Sequence, residues 1–182
     1  VYVGVSSAQG LMAMSRNAVL LFLPLYVQHE LGYGIFALGF YIALLHVMGI
    51  IAQPILGILS DRFGRKEVLI PSYVMLGSLY LLLSRAAPGW QLIVVVLAIG
   101  VFFYTLTNVT TAAVLDVAGD GIQASSLGMT SLFTQALSLP APVLAGWLAD
   151  HYGYGSTFLL SAGFMFLGAA VLIPLRLYKG TH

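Results

Sequence analysis

Gly57-Ile58-Leu59-Ser60-Asp61-Arg62-Phe63-Gly64-Arg65-Lys66 stands between two long uncharged apolar runs. With Glu67 it holds five of the thirteen charged residues in a chain of 182, so it marks the place where a membrane chain surfaces. The uncharged runs are Leu31 to Ser60 before it and Val68 to Ser84 after it, then Ala86 to Leu115, Gly121 to Ala149 and Tyr152 to Leu175. All but the second exceed the roughly 20 residues that cross a bilayer as helix, and the second is still adequate. Upstream, Tyr2 to Gln28 is continuous in hydropathy except for Arg16 at its centre. The reading is six helical spans, near residues 2–28, 36–59, 68–86, 90–116, 122–148 and 156–177.

Composition agrees. The chain is 60% hydrophobic and 7% charged, whereas about a quarter of residues are charged in a soluble domain. A barrel is excluded because the runs are apolar throughout, without the alternation of a lipid-facing strand; helices satisfy their own backbone, which lipid requires. Arg62, Arg65, Lys66, Arg176 and Lys179 fall on one side of a six-span topology and Arg85 alone on the other, which predicts both termini in the cytoplasm. The net charge of +1 expresses this bias and offers no nucleic-acid surface. Without cysteine there is no disulfide or thiolate metal site, and neither metal nor cofactor is expected. Val1 enters directly into the first span with no initiator Met or charged leader, so the chain is expected to be part of something longer.

The opening stretch has an echo. Gly57-Ile58-Leu59-Ser60-Asp61-Arg62-Phe63-Gly64 returns 89 residues later as Gly146-Trp147-Leu148-Ala149-Asp150-His151-Tyr152-Gly153, with Gly, Leu, Asp, aromatic and Gly in register. The first copy closes span 2 and the second closes span 5, at opposite membrane faces. This predicts an inverted 3+3 repeat, with Gly146, Asp150 and Gly153 as the counterparts of Gly57, Asp61 and Gly64. The same residues also suit an ordinary helix ending, with Gly for packing and Asp to turn the chain.

On these residues the chain resembles one six-helix half of a major facilitator superfamily transporter. Gly57 to Lys66 is similar to that family's signature loop, Gly-x-Leu-Ala/Ser-Asp-Arg-Phe-Gly-Arg-Arg/Lys, and the span count agrees along the whole chain. The resemblance implies a twelve-helix protein whose second half is absent here. Many N-terminal halves of drug and proton antiporters carry an Arg within the fourth helix and a Gly-Pro-Gly-Gly-like motif in the fifth. Here the fourth has no Arg and the fifth reads Gln135-Ala136-Leu137-Ser138-Leu139-Pro140-Ala141-Pro142. The Gly146 to Phe158 segment and the tail from Arg176 to His182 look like the last helices of the family, favouring the C-terminal half. The resemblance further implies that Gly57, Asp61, Arg62, Gly64, Arg65 and Lys66 act as a latch between halves. Asp61 could accept from a neighbouring helix N-terminus, Arg62 and Arg65 could pair with Asp61 or Glu67, and Gly57 would allow close helix approach. The basic residues are also topogenic charges at the lipid headgroups.

Arg16 is the costliest residue to place. It lies about 14 residues, or roughly 20 Å, from either end of span 1, and burial at a bilayer centre costs about 2.5–3.5 kcal/mol on insertion scales. It should face a watery cavity, an anionic substrate group or a carboxylate of the other half, with Gln9 on the same face. Tyr104, Thr107, Asn108 and Thr111 form an i, i+3, i+4, i+7 stripe on span 4; Ser131, Thr134, Gln135 and Ser138 form another on span 5; His46 and Gln53 are seven apart on span 2. Such stripes must be hidden from lipid. The resemblance implies that spans 1, 2, 4 and 5 border a central cavity while 3 and 6 face lipid. Gln9, Arg16, His46, Gln53, Tyr104, Asn108, Ser131 and Gln135 are the candidate substrate contacts, although interhelical hydrogen bonds are the better account of the Ser and Thr residues, and Gln53, Asn108 and Gln135 fit either role. Pro140 and Pro142 should bend span 5.

No enzyme motif competes. His29-Glu30 lacks the second His of a zinc-protease helix, and Asp116, Asp120 and Asp150 are expected in loops rather than as a paired site. The function expected is that of a secondary transporter half moving a small organic solute by alternating access, in a bilayer of the bacterial inner-membrane type, with the second six-helix half as partner. Arg16 points to an anionic solute, the aromatic residues and methionines to an amphipathic one. A non-transporting membrane subunit and an oligomeric channel are the alternatives.

Overall fold

A computed structural model describes residues 1–118 and 121–175. The described chain is all-α: α1 (Tyr2–Leu25), a π-helical turn (Tyr26–Glu30), α2 (Ile35–Phe63), α3 (Arg65–Leu83), α4 (Trp90–Phe103), α5 (Thr105–Ala118), α6 (Gln123–Ser138), α7 (Pro140–Tyr152) and α8 (Gly155–Leu172). They group into six helices long and apolar enough to cross a membrane, Tyr2–Glu30, Ile35–Phe63, Arg65–Leu83, Trp90–Ala118, Gln123–Tyr152 and Gly155–Leu172. Arg176 and Lys179, which entered the orientation argument, and Asp120 lie outside the described residues.

The interruptions have local causes. Pro140 cannot donate to the preceding turn, and its ring crowds the carbonyl four residues back; span 5 accordingly stops at Ser138 and resumes as α7 at Pro140. Pro24 precedes the π turn, whose widened ring closes with Leu31 N donating to Tyr26 O at 3.2 Å. Span 4 breaks at Tyr104 without a proline. The largest departure from the sequence reading is at the charged stretch. The helix expected to end near residue 59 continues through Phe63, and the expected loop shrinks to one residue, Gly64, with φ 104° and ψ 147°. Gly153 ends α7 in nearly the same conformation, φ 85° and ψ 164°. Each donates its N–H to the carbonyl four residues back, Ser60 and Ala149, at 3.1 and 3.0 Å. A residue with a Cβ rarely adopts either conformation.

α1 is the axis of the bundle, packed chiefly on α8 with α3 behind it. Tyr73 of α3 donates to Ala8 O at 3.1 Å, and Ser15 of α1 donates to Ser161 O of α8 at 3.1 Å. Tyr73, Tyr80, Phe103 and Phe158 are the large side chains at the centre of this core. Spans 3 and 6, expected to face lipid, bury 44% of their most apolar window. Spans 2 and 5 are the open ones, at 22% and 17%. Ser138 of the span 5 stripe, expected to bond between helices, turns back on its own helix to Gln135 O, as Thr105 does to Val101 O and Thr110 to Leu106 O. The preceding turn offers a carbonyl that needs no partner helix.

α2 and α4 cross closely at Gly100. A Cβ built there would stand 2.8 Å from Leu45 O and 3.0 Å from Met48 Cβ. Backbone cannot yield as a side-chain tip can, so Gly100→Val should destabilise by about 1–3 kcal/mol, read as a lower thermal midpoint of the detergent-solubilised full-length protein. An unchanged midpoint would contradict this packing.

Candidate functional site

The spans alternate in direction, which gathers polar side chains into three groups: one at each end and one near mid-depth. At the first end, Arg65 begins α3 immediately after Gly64 and therefore projects between spans 2 and 4. Its Nη1 pairs with Asp61 at 2.5 Å and donates to the buried Ser60 hydroxyl at 2.8 Å; its Nε pairs with Asp116 of α5 at 2.9 Å. One guanidinium thus ties the ends of three spans. Asp116 was expected in a loop, but it lies within α5 and is half of an ion pair. Asp61 uses the Arg65 side chain rather than a helix N-terminus, and remains 59% exposed. Arg62 is exposed beside the Phe63 ring. Lys66 Nζ donates to the carbonyls of Ile173 and, at 2.8 Å, Leu175, where the end of α8 leaves acceptors unsatisfied. Gly57 makes no close approach within this bundle: nothing lies within 4 Å of where its Cβ would stand.

At the opposite end, the Glu30 carboxylate accepts from the backbone N–H of Tyr154 at 2.6 Å, one residue past Gly153. This places negative charge at the N-terminus of span 6, where the helix dipole favours it. Glu30 and Arg85 also line a wide cavity there, of about 730 Å³. Asp150 is helical and exposed, at the end of α7, again not in a loop. Gly146 meets only the tip of Phe22, 3.7 Å from its Cβ position.

The mid-depth group is a cavity of about 160 Å³, bounded by Gln9, Arg16 and Asn17 of α1, Thr107 of α5, and Ser131, Thr134 and Gln135 of α6. Arg16 Nη1 donates to Thr107 Oγ1 at 3.3 Å, and Gln9 Nε2 donates to Thr111 Oγ1 at 3.3 Å. Arg16 Nε, Gln9 Oε1 and Thr134 Oγ1 are buried and have no partner among the described residues. Of the eight residues singled out as substrate contacts, Gln9, Arg16, Ser131 and Gln135 meet at this cavity. His46 and Tyr104 form a separate pair on the adjoining face, joined at 2.7 Å. His46 Nδ1 donates to Ile42 O at 2.8 Å, and Nε2 shares a hydrogen bond with the Tyr104 hydroxyl, so both ring nitrogens have partners. Asn108 is exposed and Gln53 half-buried, and neither borders the cavity. Asn17 was not anticipated; it lies eight residues after Gln9, at the edge of the same helical stripe.

Comparison with known proteins agrees with this architecture. The chain is 30% identical over 167 residues to the Multi-drug resistance efflux pump PmrA of Streptococcus pneumoniae, covering 90% of this chain and 41% of that protein. It is 32% identical over 156 residues to the Multidrug resistance protein MdtG of Escherichia fergusonii, covering 83% and 38%. The MdtG of Salmonella paratyphi A is 31% identical over 155 residues, with the same shares. The chain thus spans about two-fifths of the length of these curated relatives. The family model of the Major Facilitator Superfamily matches residues 5–180, nearly the whole chain. With six apolar helices and the Gly57 to Lys66 signature in place, this chain belongs to the Major Facilitator Superfamily, a family of multi-pass membrane transporters and not of enzymes.

Proposed function

We propose that this chain is one six-helix half, the C-terminal one, of a secondary transporter that moves a small organic solute by alternating access. The observation that carries the reading is the polar cavity around Arg16, bounded on span 5 by the exposed Ser131 and Gln135. Spans 2 and 5, the least covered of the six, present exposed polar groups: His46 on one, Ser131 and Gln135 on the other. Lipid tolerates such groups poorly, whereas a second bundle around a watery midplane site would accommodate them. The open faces of spans 2 and 5 are then the seats of that second half, and Gly57 faces it.

Two features support the inverted repeat. The paired motif glycines share one backbone conformation. In addition, a carboxylate near the end of the first span of each three-span unit reaches the helix start that follows the motif of the other unit: Glu30 to Tyr154, and Asp116 to Arg65. In this reading the Arg65 end is cytoplasmic with both termini, the Glu30 end faces outward, and the protein resides in a bacterial-type inner membrane. Asp61, exposed and held by one arginine, is the part of the latch that a second half would engage. The names of the relatives favour a drug-like solute.

Full-length protein in proteoliposomes tests the reading, with efflux of ethidium and uptake of benzoate as amphipathic and anionic probes. Saturable movement of either supports transport; movement of neither, by protein shown to be folded, overturns it. Single cysteines at positions 67 and 150 of a cysteine-free full-length protein test the topology. In intact cells an impermeant maleimide should label position 150 alone.

A further inference from the structure

The cavity at the Glu30 end holds two opposite charges that the bundle does not pair. Glu30 bounds it from the end of span 1, and Ser84 and Arg85 from the turn after α3, with the end of α7 and the start of α8 opposite. Glu30 Oε1 accepts from the Tyr154 N–H. Among the described residues its other oxygen has no partner, and neither has the Arg85 guanidinium. Ser84 and Ser156 line the same space, and each hydroxyl donates its proton to a nearby carbonyl, that of Leu81 at 2.7 Å and that of Gly153 at 2.6 Å. With those protons committed, both oxygens can only accept. Gly155 keeps the two segments close, since a Cβ there would stand 3.3 Å from Ser84 O.

The depth of the cavity follows from the spans. Spans 1 and 3 end at its rim and span 6 begins there, so it lies where the apolar layer gives way to water. Trp147 and Tyr152, exposed at the same end, are side chains that settle at such a boundary. Further in, the wall is made by Leu148, Leu159 and Leu160. Leu159, with Leu81 and Leu82 of α3, continues as exposed apolar surface toward the bilayer. α8 packs on both α3 and α7, which puts the cavity on the flank formed by span 6 and not on the open face of span 2.

We propose that this cavity is a lipid site, holding a phospholipid whose head carries both a phosphate and a primary ammonium. The phosphate lies on Arg85, whose planar guanidinium matches two oxygens of one phosphate. The ammonium lies toward Glu30, with the Ser84 and Ser156 oxygens as further acceptors for its N–H groups. The acyl chains follow the leucines into the bilayer. A volume of about 730 Å³ suits a head group with its glycerol, and is far more than a bare ion needs. Both charges decide the choice of lipid. An anionic head would satisfy Arg85 but set negative charge near Glu30, and a quaternary head has no N–H for the carboxylate and hydroxyls. The site concerns the membrane around the protein and is independent of what the protein carries.

Delipidated full-length protein in detergent, titrated with phosphatidylethanolamine, phosphatidylcholine or phosphatidylglycerol of matched acyl chains, tests this, with bound lipid read by native mass spectrometry. Phosphatidylethanolamine should bind about fivefold more tightly than either of the others, the size of one partly exposed ion pair. Arg85→Gln should weaken all three by about the same factor. Glu30→Gln keeps a carbonyl acceptor for the Tyr154 N–H but removes the charge, and should bring phosphatidylethanolamine down to the level of phosphatidylcholine. Asp150→Asn, which removes an exposed carboxylate at the same end outside the cavity, should leave the preference intact. Soluble glycerophosphoethanolamine should compete poorly, because it lacks the chains that the leucines hold. Equal binding of phosphatidylethanolamine and phosphatidylcholine by the wild type overturns the proposal, as does a preference that survives Glu30→Gln. Competition by the soluble head group as strong as by the lipid also overturns it, and would mark a site for a free solute. Absence of bound lipid would mean that the second half covers the cavity, which overturns it as well.

Discussion

Replacing Arg65 with alanine in the full-length protein is expected to slow transport at least tenfold, with lysine restoring part of the rate and the thermal midpoint changing little. The three bonds of Arg65 reach Asp61, Ser60 and Asp116, and so join the ends of spans 2, 3 and 4. Both carboxylates are substantially exposed, at 59% and 46%, and exposed ion pairs contribute only about 0–1 kcal/mol each. That is little beside the stability of a six-helix bundle. It is comparable, however, with the roughly 1.4 kcal/mol that corresponds to a tenfold rate change. Alanine would leave Asp61 and Asp116 facing each other without a counter-charge, pushing apart the ends that Arg65 holds. Lysine returns the charge but cannot serve two carboxylates and a hydroxyl with a fixed fork. Initial rates in proteoliposomes, alongside thermal melts, decide the matter. Wild-type transport by the alanine variant would show that the cluster only anchors the chain at the membrane surface.

A second large effect is expected at the helix junctions. Gly64→Ala forces a Cβ onto a backbone at φ 104° and ψ 147°, a region essentially reserved for glycine, at a cost of about 1–3 kcal/mol. There is little slack to absorb it, because α2 ends at Phe63 and α3 begins at Arg65. Relief by rotation would swing Arg65 away from Asp61 and Asp116, so transport and thermal midpoint should fall together. Gly153→Ala meets the same strain at φ 85°, and its Cβ would also stand 3.0 Å from Glu30 Oε1, disturbing the carboxylate that accepts from Tyr154. Gly163→Ala is the control. It lies within α8 with nothing inside 4 Å of its Cβ position, where alanine is the better helix former. A Gly64→Ala protein as stable as the Gly163→Ala protein would mean that the junction is not the single-residue hinge described here.

Much of the architecture was legible because hydrophobicity is summed along the chain. Transfer into lipid depends on some 20 consecutive side chains, so Leu31 to Ser60 declares a span whatever its neighbours do. The proline break at Pro140 is equally local. The boundaries were less so: the charged residues from Asp61 to Lys66 look like a loop, yet a helix can project charge beyond the apolar layer while keeping its backbone bonds, and only Gly64 leaves the helix. Of the candidate site, Arg16 and Gln9 were found because a polar group is conspicuous in an apolar span. Asn17 passed unnoticed beside Arg16, at the edge of the stripe that periodicity picks out.

Composition and residue order alone specify the membrane class, the six spans, the signature at Gly57 to Lys66 and its echo at Gly146 to Gly153. Those are properties of composition, local order and backbone preference, which a linear chain records directly. Which charges meet depends on how the helices pack. Arg65 finds Asp116 across 51 residues, and Glu30 finds the Tyr154 N–H across 124. The fold also sets Arg16 beside Thr107 at the mid-depth cavity, with no carboxylate in ion-pairing distance among the described residues. The reason is physical: hydropathy drives each helix into the bilayer independently, whereas pairing depends on rotations and depths set by packing against Tyr73, Phe103 and Phe158 in the core, and no single span encodes these alone.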